Sequence, residues 1–134
     1  MDDFESGKPN RDVSGKYDLI LTVGVIEHLI DPDKILQYMK HLSHQSTILV
    51  IATCDREILA GKGALRPSNN AHVREWTIDE FSNYLQSRNM HIIEKRLDQF
   101  LKTDPSVPLT YEYYLNILSR RGQRHAINIV AKWI

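Results

Sequence analysis

The stretch Tyr17-Asp18-Leu19-Ile20-Leu21-Thr22-Val23-Gly24-Val25 decides the fold. It is almost continuously apolar and rich in branched side chains, and it follows a polar opening, residues 1–16, punctuated by Gly7, Pro9 and Gly15. A run this short and without alternation predicts a strand buried on both faces, as in a parallel sheet. Just beyond it, Asp31 is placed to cap a helix whose first turn holds Pro32. Ile35, Leu36, Met39 and Leu42 recur at helical spacing, predicting a helix from about 32 to 44 with one buried face. Thr47-Ile48-Leu49-Val50-Ile51-Ala52-Thr53 is a second buried strand. Strand, helix, strand is the order of a right-handed parallel crossover, so the fold class is α/β.

Further along, residues 54–75 carry Gly61, Gly63, Pro67, Ser68, Asn69 and Asn70 and read as one long irregular segment. Segments of this length in a compact domain are often functional. Thr77-Ile78-Asp79-Glu80 matches a capping box, and Phe81, Tyr84 and Leu85 give the helix behind it an apolar face. Arg88-Asn89 ends that helix, Asn tolerating a left-handed cap. His91 to Leu97 reads as a third strand and Ala126 to Trp133 as a fourth, with Pro105 and Pro108 breaking the chain between them. Tyr111 to Leu118 fits a short helix or a strand equally well.

The 134 residues are enough for a single domain, 42% hydrophobic and 25% charged, which excludes a disordered or fibrous chain. Seventeen basic residues balance seventeen acidic ones. That neutrality argues against nucleic acid or a membrane surface as partner. No apolar run approaches the roughly 20 residues of a membrane-spanning helix. The acidic start Met1-Asp2-Asp3-Phe4-Glu5 has no signal-like apolar region, and the lone Cys54 rules out an internal disulfide, so the chain is expected to be cytoplasmic.

With Tyr17-Asp18-Leu19-Ile20, Val23-Gly24-Val25-Ile26-Glu27-His28-Leu29, Asp31-Pro32 and the later His72-Val73-Arg74-Glu75-Trp76-Thr77, the sequence resembles the class I S-adenosylmethionine-dependent methyltransferases. The likeness is good over residues 17–100 and loose over 101–134. It implies a single truncated domain holding a partial Rossmann-like sheet, mostly parallel with an antiparallel C-terminal strand. It also implies S-adenosylmethionine as cofactor and a small molecule as methyl acceptor. The family's glycine-rich turn and its ribose-binding acidic residue have no counterpart in this chain. Gly61-Lys62-Gly63 follows no buried strand, and Ser6-Gly7-Lys8 and Ser14-Gly15-Lys16 are not phosphate loops. Only the second half of the family pattern is therefore expected.

On that resemblance, Thr22, Val23 and Gly24 lie beside the cofactor, and Asp3 and Phe4 are a remnant of the segment facing its adenine. His28 and His72 are the candidate catalytic bases, while Glu27 and Arg74 are candidates for binding the acceptor. Each has a plain structural alternative. Glu27 and His28 tie the turn to the next helix, Gly24 serves an ordinary tight turn, Arg74 and Glu75 are solvated, and Trp76 anchors the core. No metal site is expected, since His41 and His44 have no third ligand at suitable spacing and suit a helix C-terminus. Cys54 reads as an inert buried thiol. Arg120, Arg121, Arg124 and His125 read as a solvated turn, and Tyr111, Tyr113 and Tyr114 as packing residues or acceptor-pocket aromatics.

The strand at 17–25 lacks neighbours on one side, and an open apolar edge invites pairing. A homodimer through that edge is expected, with a complementing chain or the first 16 residues as other ways to cover it. Two functions remain open: methyl transfer, completed by an oligomer or partner, and a non-catalytic methyltransferase remnant acting as a binding or assembly module.

Overall fold

The computed structural model describes residues 6, 8, 13–98 and 126–134. The expectations placed on Asp3 and Phe4, on Tyr111, Tyr113 and Tyr114, and on Arg120, Arg121, Arg124 and His125 lie outside the described residues.

Four strands form one sheet: β1 (Tyr17–Val23), β2 (Ser43–Cys54), β3 (Met90–Asp98) and β4 (Ala126–Trp133), in the spatial order β1-β2-β4-β3. β1 and β2 are parallel, and β4 runs antiparallel to both of its neighbours. Three strands thus share one direction and the C-terminal strand opposes them, as the resemblance implies. The connection between β1 and β2 carries a 3-10 turn (Ile26–His28) and helix α1 (Asp33–Leu42). Pro32 occupies the helix start, and the Asp31 carboxylate accepts from the Asp33 amide at 3.0 Å, satisfying one of the free N–H groups there.

Two expected boundaries move. α1 ends at Leu42, and β2 begins at Ser43 rather than Thr47. The cause is a bulge: Tyr17 pairs with Ser43 but Leu19 with Ile48. The Thr47 hydroxyl stitches this bulge, donating to the Tyr17 carbonyl at 2.6 Å and accepting from the His44 amide at 2.8 Å. His44 therefore sits in the strand, where it meets Asp18 at 2.8 Å, instead of ending a helix. The segment 54–75 is also not wholly irregular, because it contains the short helix α2 (Arg56–Ala60), capped by the Asp55 side chain on the Ile58 amide.

Helix α3 (Ile78–Gln86) starts with the expected capping box, both Thr77–Glu80 bonds being present. It ends at Gln86, three residues short of Asn89, and Asn89, with φ of 63°, closes the turn that reverses the chain into β3. α1 and α3 pack on one sheet face: Ile35, Leu36 and Met39, with Phe81 and Leu85, join Leu49, Ile51, Ile127 and Ile129 in one buried cluster. Trp76 anchors it from the loop side, 5.0 Å from the Phe81 ring. Each such fully buried side chain contributes about 1.5–3 kcal/mol against exposure.

β1 departs from the expected strand buried on both faces. Of its residues only Thr22 is buried, whereas β2 is buried continuously from Leu49 to Cys54. β1 is an edge strand, hydrogen-bonded to β2 alone among the described residues.

Candidate functional site

At the carboxyl end of a parallel strand pair, chain directions diverge and leave a crevice, the usual ligand position in open α/β sheets. Here β1 and β2 end side by side at Val23 and Cys54. Gly24 continues the ladder by donating its amide to the Ala52 carbonyl at 3.0 Å, then turns with φ of +65°. That left-handed conformation disfavours any residue with a Cβ. The next residues coil into the 3-10 turn, which places Glu27 inward and His28 outward.

An open cleft of about 590 Å³ results, lined by Val23, Gly24, Glu27, His28, Cys54, Leu59, Ser68, Asn69 and His72. Its far wall is the loop before α3. Backbone bonds lock this wall to the turn, the Val73 and Arg74 amides both donating to the Glu27 carbonyl, at 2.9 and 3.3 Å. The wall is braced behind by Arg56, which donates to the Ala64 and Glu75 carbonyls and forks onto the Glu80 carboxylate at 2.7 and 2.8 Å.

Two histidines meet in the cleft, their rings edge to face with centroids 4.7 Å apart. His28 Nδ1 faces the Ala71 carbonyl at 2.9 Å, and His72 Nδ1 faces Glu75 Oε1 at 2.5 Å. Both partners accept only, so each Nδ1 carries a proton, and Nε2 is the nitrogen left free of that bond. The Glu75 side chain is fully buried, and it also accepts from the Ser68 amide and hydroxyl, both at 2.9 Å. Burial pushes its carboxyl up, but the bonds from Ser68 and His72 outweigh that and hold it below the ordinary glutamate range.

Glu27 is buried as well, and its Oε2 accepts from the Thr53 hydroxyl at 2.9 Å. Cys54 feels both carboxylates: its thiol is pushed up to about 12 by burial and then by the negative charges of Glu27 and Glu75. One ligand atom each from Glu27, Cys54 and His72 lies within 4.8 Å of the others.

Of the residues singled out from sequence, Val23, Gly24, Glu27, His28 and His72 converge on this cleft. Two others do not line it. Thr22 turns its hydroxyl into the core, 3.7 Å from the Met39 sulfur. Arg74 reaches back to the Ile30 carbonyl at 2.8 Å and lies over the Trp76 ring, bracing the turn. Glu75, read as one of two solvated charges, is buried. Cys54, Leu59, Ser68 and Asn69 join the site unannounced, because nothing in their local sequence shows that α2 and its loop fold over the strand ends.

No family model matches the chain, and no curated protein matches it. Solved structures do. A chain from the complex between the Haloferax volcanii Trm112 methyltransferase activator and a methyltransferase superposes with a TM-score of 0.57 at 13% identity, over 88% of this chain and 54% of its own length. A S-adenosylmethionine-dependent methyltransferase from Clostridium acetobutylicum gives 0.57 at 11% identity, over 98% and 63%. The plantazolicin methyltransferase BamL, solved with a triazolic desmethylPZN analog and SAH, gives 0.55 at 15%, over 90% and 55%. The chain spans between about half and two-thirds of the length of these structures. At such identities the fold is what is shared, and it is the class I S-adenosylmethionine-dependent methyltransferase fold, in the portion that closes with the antiparallel strand β4.

Proposed function

We propose that the cleft at the ends of β1 and β2 binds S-adenosylmethionine and that the chain serves methyl transfer to a small-molecule acceptor. The observation that carries this reading is the Val23–Gly24 turn. A Cβ at Gly24 would meet nothing nearer than Glu27 Oε1 at 3.7 Å, so the bare backbone faces open space at the one point where the fold brings strand ends and polar groups together. Val23 and Gly24 offer the cofactor that backbone, with Thr22 behind them. Bound there, the sulfonium supplies an already activated methyl group.

The protein's own task is then alignment and proton removal. His28 and His72 each present a bare Nε2 able to take the acceptor's proton, and their Nδ1 anchors keep that tautomer in place. Glu27 and Arg74 position the acceptor, Arg74 by holding the turn. Among the described residues the outer edge of β1 has no partner strand, and a second copy or a complementing chain can pair there beside the cofactor.

Calorimetric titration of S-adenosylmethionine and SAH into the purified chain tests the reading. Binding in the micromolar range that is lost in Gly24→Val supports it. No binding at millimolar ligand refutes the cofactor site in this chain and leaves the assembly module, pairing through β1, as the surviving function.

A further inference from the structure

We propose that Glu27, Cys54 and His72 form a zinc site with one open position facing the cleft. The three side chains come from three separate segments: the turn after β1, the end of β2 and the loop before α3. Their ligand atoms lie within 4.8 Å of one another. Three atoms so spaced surround a point no more than about 2.8 Å from each, against roughly 2.0–2.3 Å for zinc bonds to oxygen, nitrogen and sulfur. Side-chain adjustments of about half an ångström close the difference.

The surroundings are those of a ligand set and not of a chance cluster. His72 donates from Nδ1 to the buried Glu75 carboxylate, which orients the ring and raises the basicity of Nε2, as outer carboxylates do for metal-bound imidazoles. Glu27 is held by Thr53 through one oxygen, which leaves Oε1 for a second partner. A buried carboxylate needs a cation or a full set of donors; Glu75 has three, from Ser68 and His72, whereas Glu27 has the Thr53 hydroxyl and, among the described residues, no lysine or arginine. A divalent ion supplies that missing charge. The thiol and imidazole select a borderline-soft ion over magnesium or calcium.

Binding is balanced by one proton: the Cys54 S–H bond breaks, its electron pair forms the sulfur–zinc bond, and the proton leaves to buffer. Three protein ligands leave the fourth position to water or to a ligand in the cleft. His28 stands beside His72 but outside the triad, so with the ion bound His72 Nε2 is a ligand and the proton-accepting role falls to His28 alone.

Cobalt(II) titration of the metal-free chain is the test. The expected result is one Co²⁺ per chain with thiolate-to-cobalt charge-transfer absorption, displaced by Zn²⁺. Cys54→Ser abolishes that absorption, His41→Ala leaves it unchanged, and Glu75→Gln weakens affinity by about 10–100-fold. Should Cys54→Ser not fold, zinc calorimetry on the unaltered chain in buffers of different ionisation heat decides, with about one proton released per ion. Absence of charge-transfer absorption in the unaltered chain, its persistence in folded Cys54→Ser, or zinc binding without proton release overturns the site. None of these readouts depends on methyl transfer.

Discussion

Replacing Glu75 by glutamine removes one negative charge from the most heavily bonded side chain of the cleft. The carboxylate accepts three bonds, two from Ser68 and one from His72. Hydrogen bonds to a charged group are worth about 1.5–3 kcal/mol each, and neutral ones about 0.5–1.5. Glutamine keeps one acceptor oxygen and turns an amide against a former donor, so one bond is lost and the others weaken. The neutral amide recovers part of this because it costs less to bury. The net expectation is a loss of roughly 2–4 kcal/mol at pH 7. The sign of the pH dependence follows from the lowered folded-state pKa of Glu75. Its stabilisation is fully present above the unfolded value of about 4.3 and is lost as pH falls through the lower folded value. Asp33, bonded to Arg88, and Glu80, bonded to Arg56, are lowered too, but they titrate in both proteins and cancel in the difference. Urea unfolding of the two proteins, from pH 7 down to pH 2, measures the gap. A gap under about 0.5 kcal/mol at pH 7, or one that stays constant into acid, refutes the reasoning.

Gly24→Ala is expected to cost about 1–2 kcal/mol, all of it conformational, since φ is +65° and the added Cβ meets only an ordinary contact; Gly24→Asn should cost less in the same thermal melts, and equal losses would contradict a backbone origin. Arg56→Ala removes the brace on the cleft wall, so trypsin should cut faster after Lys62, which lies in the loop it holds; unchanged digestion would show that the wall stands without it. Cys54, raised to about 12 and buried, should resist alkylation at pH 8 in the folded protein and react readily in urea. Fast labelling of the folded chain would contradict both its burial and the charges assigned around it.

The parts of this fold written in local sequence were legible. The apolar runs at 17–25 and 47–53, the Thr77–Glu80 box, the reversal at Asn89 and the strands at 91–97 and 126–133 all depend on neighbours a few residues apart. α2 was not, because a five-residue helix draws its stability from tertiary bonds, here those of Arg56 to Ala64, Glu75 and Glu80. Nor was the bulge at Ser43, since the bond from Thr47 to the Tyr17 carbonyl spans thirty positions of sequence. The cleft divides in the same way. Val23, Gly24, Glu27 and His28 fall within six consecutive positions and could be read together. Cys54 and Glu75 could not, because an inert thiol and a solvated charge look the same in sequence as two members of a buried cluster.

The central claim is that the cleft at the ends of β1 and β2 is the ligand site. Amide chemical shifts of the isotopically labelled chain, followed during titration with SAH, test it most directly. The account predicts saturable shifts at Val23, Gly24, His28 and Asn69, with the groove beside α1, lined by Lys40, Asn89 and Trp133, undisturbed. Shifts confined to that groove, or none at millimolar SAH, would contradict it.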